Sequence, residues 1–319
     1  MKWLVARVLD PNGSWFSNGR VLSRVEFRTG RMDSPLEKAA LVQSVSTHKL
    51  TIDIEHSMRA CTIVEAPTAD EAHRVAEPVI DEALDLLDFE NIGLSRNAVL
   101  GPGFARSFVD GAVVSRQPSV PFGPFTAYAI QPWALEARTL TDLLADAPGS
   151  ELTQAVRRAL HWQRRARCES LRQSRFLFRW FAIEAIWKIG DVNDDVVPFV
   201  RWSLGFPSGT NARLVSAPVL GAVQSHPQYR SWRDVVTGRL ERMRSLRNDI
   251  VHSGFRPQDV AEREMRENHS LGTMACVRTI GFAARAVALG LQTREHLRDQ
   301  VAQVAEATCR FGHKPKISR

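Results

Sequence analysis

The chain has 319 residues, 44% hydrophobic and 24% charged, a balance that fits a globular protein with a sizeable core. It shows no apolar run of membrane-spanning length and no secretory leader, and Cys61, Cys168, Cys276 and Cys309 are scattered without a Cys-x-x-Cys pair. Export, a disulfide framework and a zinc site are therefore disfavoured, and reduced thiols in the cytoplasm are expected.

The N-terminal residues mix strand and helix signals. Residues 1–9 and 21–27 alternate as strands do, with the turn-rich Asp10-Pro11-Asn12-Gly13 between them. Residues 49–54 and 59–65 read as two further strands. Thr68-Ala69-Asp70-Glu71 opens a helix as a capping box, with Thr68 as N-cap. Ala72, Val75, Ala76, Val79, Ile80, Ala83, Leu84 and Leu87 follow at helical spacing. Strands are expected again over 97–100, 105–108 and 112–115. Gly101-Pro102-Gly103 lacks the Lys-Ser/Thr of a phosphate loop and reads as a turn. A Gly, Pro and Ser cluster lies over 117–124. The expectation for residues 1–138 is an α+β domain, one sheet with one long helix packed on it.

From 139 to 319 the pattern is helical. Candidate helices cover 141–144, 151–167, 171–188, 195–204, 232–253, 257–268, 272–291 and 293–310, with breaks at Gly190, Gly205–Gly209 and Gly254. The tail 313–319 is short, basic and expected to fray. Charge divides along the same line. Residues 151–319 hold 28 Lys+Arg against 16 Asp+Glu, whereas residues 1–150 hold 14 against 19. The C-terminal part, whose cations are nearly all Arg, is thus the part suited to a polyanion, unless these arginines only clothe a solvated surface. The helix around His161 and Trp162, with Arg157, Arg158, Arg164, Arg165 and Arg167, admits the same two readings.

The stretch 232–253 carries Trp232, Val235, Val236, Leu240, Met243, Leu246, Ile250 and Val251 as one apolar stripe and ends in Arg247-Asn248-Asp249-Ile250-Val251-His252. At about 100° per residue, Arg247, Asn248 and His252 fall at about 0°, 100° and 140°, within one sector, and Arg247 and His252 are about 7 Å apart in axial rise. That span suits a phosphodiester. Gly254 is placed as the C′ residue, so His252 falls in the last turn, where the helix dipole favours its protonated form. RNA brings its own nucleophile, the 2′-hydroxyl. A His to move protons and an Arg to hold the phosphorane charge are then sufficient chemistry without a metal or cofactor. Arg239, Arg242, Arg244 and Arg256 flank these residues and are the candidate RNA contacts.

The segment Phe176–Trp187 is apolar on nearly every face, as in the central helix of a bundle, yet it contains Glu184. A carboxylate there needs a cation, and Arg247 is the natural one. This pairing of an aromatic-rich, acid-bearing helix (residues 161–188) with a later Arg-Asn-x-x-x-His helix end (residues 245–254) resembles the HEPN superfamily, in particular its ApeA-like branch. The resemblance covers roughly residues 151–300. It implies an all-α bundle and a metal-independent endoribonuclease of bacterial antiphage defence or toxin-like growth arrest, acting on tRNA, mRNA or rRNA as a homodimer through the helical domain. Arg247 and His252 match the family's motif pair, Asn248 its polar position, and Glu184 the accompanying acid. The N-terminal domain then regulates, with a partner or ligand as trigger. A catalytically silent module that binds RNA, a nucleotide or a partner protein remains the alternative.

Overall fold

The computed structural model describes residues 1–9, 19–90, 99–118, 135–190, 196–253 and 262–311. The turn expected at Asp10-Pro11-Asn12-Gly13, the helix stop at Gly254, Arg256 and the tail 313–319 lie outside these residues. The chain forms two compact units, Met1–Asp146 and Ala147–Arg319. The first is an antiparallel sheet with helices and the second is helical.

In the first unit, β1 (Lys2–Leu9) lies inside a six-stranded sheet with β2 (Arg20–Leu22), β3 (Val25–Thr29), β4 (Met58–Glu65), β5 (Val99–Ser107) and β6 (Val113–Arg116). The order is β2-β3-β4-β1-β5-β6 and every pairing is antiparallel. β1 is buried on both faces because helices cover both. Leu4, Ala6 and Val8 join Cys61 and Phe104 against Ala40, Leu41 and Val45 of α1 (Pro35–Thr47). On the other face, α2 (Ala69–Glu90) inserts Ala72, Ala76, Ile80, Ala83, Leu84 and Leu87, while Val75 faces solvent. Thr68 Oγ1 accepts from the Glu71 amide at 3.3 Å, which fixes the start of α2. Helix α3 (Leu135–Asp146) packs on α2, so the expected boundary at 138/139 cuts a helix and the division falls at 146/147.

Several expectations for this unit are corrected. Residues 21–27 are a hairpin, not one strand, because Ser23 turns the chain with φ 53°. Residues 49–54 form no strand; Leu50, Ile52 and Ile54 alternate because they pack as a loop against the α1 side of the core. Gly101-Pro102-Gly103 is no turn but lies within β5, whose register against β1 shifts between Gly103 and Val99. A Cβ at Gly103 would overlap the Ala6 carbonyl oxygen, so glycine is what lets β5 close on β1. The sheet carries α1 as well as α2. The start of α1 is marked by a complete capping box: Ser34 Oγ accepts from the Glu37 amide, the Glu37 carboxylate accepts from the Ser34 amide, and Pro35 occupies the first turn.

In the second unit, α4 (Glu151–Cys168) and α5 (Arg172–Trp187) form a helical hairpin over Glu169-Ser170-Leu171. Next come α6 (Val196–Ser203), a 3-10 turn (Thr210–Leu214), α7 (Ala217–Gln224), α8 (Tyr229–Ser253), α9 (Glu262–Ala288), α10 (Arg294–Asp299) and α11 (Val301–Phe311). Helix α5 is central, packed by α4, α6 and α9. Trp180 and Trp187 are fully buried, and Trp187 stacks on Phe199 of α6 at 5.2 Å and meets Phe282 of α9 at 5.9 Å. The last carbonyls of α5 are held from α10: Arg294 Nη1 donates to Lys188 O at 2.5 Å and Arg298 Nη2 donates to Trp187 O.

Here too the sequence misleads in places. Helix α9 is one helix, not two. Gly272, read as a boundary, lies inside it, and a Cβ there would come 3.0 Å from Met243 Cε of α8. The stretch 293–310 is two helices, α10 and α11, and α7 was not anticipated. Within α9, residues Asn268–Ala288 are long and apolar enough to cross a membrane by composition, and 56% of the apolar window is buried in the bundle. The stripe on α8 is buried only in its second half. Leu240, Met243, Leu246 and Ile250 are buried, whereas Trp232, Val235 and Val251 are 47%, 52% and 44% exposed.

Candidate active site

The site is built where α5 meets the end of α8. Glu184 Oε2 accepts from Arg247 Nη2 at 3.0 Å, and Glu184 Oε1 accepts from Trp180 Nε1 at 3.0 Å. Trp180 is one turn back on α5 and fully buried, so its indole N–H fixes the carboxylate from below. Arg247 Nη1 donates to Asn248 Oδ1 at 3.0 Å. The guanidinium is thus held between an acid and an amide, with side chains 15% exposed at Arg247 and 14% at Glu184. Its Nε is buried and makes no hydrogen bond among the described residues.

The acid predicted from its place in an apolar helix therefore meets the cation predicted for it, at ion-pair distance. Asn248 and His252 are exposed, and His252 occupies the last turn of α8. Of the expected RNA contacts, Arg239 and Arg242 are exposed on the same helix, and Arg244 is half-buried with its Nε 3.5 Å from a Glu241 oxygen. Among the described residues, no group of three or more His, Cys, Asp or Glu is placed to hold a metal ion.

No family model, curated protein or solved structure matches this chain.

One pair was missed from the sequence. Arg179, five residues before Glu184 on α5, is 7% exposed, and its Nη1 donates to His269 Nδ1 of α9 at 2.9 Å. Burial, with Arg175 and Arg167 nearby and against an opposing contribution from Cys276, lowers the Arg179 pKa to about 10. Burial likewise lowers His269, with Arg179, Arg175 and Arg172 adding to the effect, so this imidazole is held neutral and accepts from the guanidinium. The signal was present: Arg179 is a charge inside the same apolar helix as Glu184, and it needed a partner for the same reason.

What the arrangement can do follows from its charges. Glu184 and Asn248 fix the plane of one guanidinium and leave a proton carrier, His252, open to solvent about 7 Å further along the same helix. A phosphodiester seated against both would meet a positive fork and an imidazole able to give or take a proton.

Proposed function

We propose that the C-terminal unit is a HEPN-type endoribonuclease, and that it cleaves RNA by attack of a 2′-hydroxyl on the adjacent phosphodiester. The P–O5′ bond breaks, leaving a 2′,3′-cyclic phosphate and a 5′-hydroxyl. His252 carries protons at the reacting oxygens, Arg247 holds the charge that builds on phosphorus oxygens, and Glu184 and Asn248 position Arg247. RNA supplies the nucleophile, so the step requires no metal. Two protons move, one off the 2′-oxygen and one onto the 5′-oxygen. Two copies of the chain, each bringing a His252, would supply both, which is the chemical reason to place the enzyme as a homodimer through its helical unit.

The observation that carries this reading is the Glu184–Arg247–Asn248 chain of hydrogen bonds ending beside an open His252. The biological setting proposed is cytoplasmic RNA degradation in antiphage defence or growth arrest, with the N-terminal unit as the regulatory part, answering to a partner or ligand. The test is incubation of the wild type, Arg247→Ala and His252→Ala with total bacterial RNA in EDTA, with mapping of the RNA ends. Cyclic-phosphate ends from the wild type alone are expected; full activity in either variant would sink the assignment.

A second reading, a catalytically silent module that binds RNA, a nucleotide or a partner, is favoured by one feature. Arg247 is 15% exposed and already engaged on two sides. It predicts RNA retention without cleavage and no toxicity on overexpression.

A further inference from the structure

We propose that the outer face of the α4–α5 hairpin is a base-binding hollow for the RNA strand, taking a nucleobase that flanks the scissile phosphodiester. This inference rests on the nuclease reading and adds a substrate contact to it.

The hollow, about 480 Å³, is lined by His161, Trp162, Arg165, Cys168, Glu169 and Phe178. Its floor is aromatic. Trp162 and Phe178 stack with centroids 5.4 Å apart and planes inclined by 29°; Phe181 meets Trp162 edge-on at 5.4 Å and His161 does so at 5.6 Å. Ring clusters of this kind ordinarily lie in a core, yet all four rings are only half-buried. Of these, His161, Trp162 and Phe178 line the hollow, where a flat, polarisable partner would meet them.

The rim decides which partner. Arg158 and Arg165 are exposed and lie one turn before and one turn after Trp162 on the same face of α4, and Arg172 is exposed at the start of α5. Arg175 is tied at the same end, its Nε and Nη2 donating to Glu169 O at 3.1 and 2.6 Å. The acid in the hollow, Glu169, has one carboxylate oxygen engaged by the Leu171 amide at 2.9 Å. Aromatic faces inside a cationic rim fit a base carried on a phosphate chain, because bases of any sequence stack and the arginines meet the backbone.

Helix α5 carries both the wall of the hollow and the candidate acid. Phe178, Phe181 and Glu184 follow at three-residue intervals along α5, so Phe181 lies about 60° around the helix from each and about 4.5 Å in rise from Glu184.

The test uses the full chain and a 2′-O-methyl oligouridylate, which lacks the nucleophile and cannot be cut. Its binding is followed by fluorescence anisotropy beside an abasic chain of equal length. The wild type should bind the base-bearing chain about tenfold more tightly, and Trp162→Leu and Phe178→Leu, checked for native circular dichroism, should erase that preference. Arg165→Ala, an exposed position where folding is not at stake, should weaken both chains and reduce the salt dependence by about one counterion. Equal binding of the two chains by the wild type would overturn the hollow, as would uridine monophosphate binding as tightly as the strand. So would a dimer that falls to monomer in Trp162→Leu, which would make the face a contact between copies. Cleavage that depends on Arg247 and His252 in a protein showing no base preference would remove the hollow alone; no cleavage and no binding would remove the nuclease reading with it.

Discussion

In the N-terminal unit Arg59 and Asp33, each with its side chain 1% exposed, lie 2.7 Å apart. Arg59 also donates to the Ile54 carbonyl at 2.6 Å, and Arg28 ties Asp33 to Glu37 and Glu26. In the C-terminal unit Arg179 is nearly as deep, yet the partner it meets is a neutral imidazole, and its other neighbours are Cys276 and the cations Arg175 and Arg167. Around Arg59 the first unit gathers carboxylates; the second keeps a surplus of positive charge along α5, whose one acid is Glu184. Closed networks of the first kind hold a fold together. A cationic surplus of the second kind favours anions, and it lies on the helix that carries the candidate acid.

The comparison can be broken at several points. The largest effect should come from the open side: Arg247→Ala and His252→Ala should each reduce RNA cleavage by about 10²–10⁴-fold while the thermal unfolding of His252→Ala stays near wild type, since His252 is exposed. On the closed side, Asp33→Ala strands Arg59 and should cost about 3–5 kcal/mol in urea denaturation; a loss below 1 kcal/mol would show that the network is not structural.

His73 sharpens the contrast in pH. It is 1% exposed, and burial, with Arg7 and Arg116 nearby, lowers its pKa from 6.5 to about 4. The unfolded chain therefore takes up this proton first. Stability should be full above pH 6.5 and should fall by about 3 kcal/mol as pH drops through 4, with little further loss from this group below that. His73→Phe should flatten that part of the profile. The smallest effect expected is at the α1 cap, where Ser34→Ala should lower stability by about 1 kcal/mol without altering cleavage.

The parts of this architecture legible in the sequence were those where one local signal agreed with burial. Helix α2 was announced by Thr68 and a regular apolar face, and α4 and α5 by period alone. Helix α1 was overlooked although Ser34-Pro35-Leu36-Glu37 carries its cap, because its apolar residues show little bias to one side. Alternation misread residues 49–54, since a buried loop imposes the same pattern as a strand. Glycine misread β5 and α9: at Gly103 and Gly272 it serves close approach to Ala6 and Met243, a tertiary reason that leaves no local trace. The Glu184–Arg247 pair was legible because burial of a charge demands a partner, and Arg179–His269 would have yielded to that argument had it been applied to the same helix. Which face of α4 stays open could not be read from period, because Trp162 and Phe178 look like core residues in any helical projection.

The end of α5 has a bearing on how the molecule is made. Its final carbonyls, at Trp187 and Lys188, are closed by Arg298 and Arg294, more than a hundred residues further on. A ribosome that has released Arg247 and His252 has yet to deliver those two side chains. The helix presenting Glu184 therefore keeps an open end until nearly the whole described chain has emerged, and the guanidinium that depends on Glu184 is among the last parts of the molecule to be set.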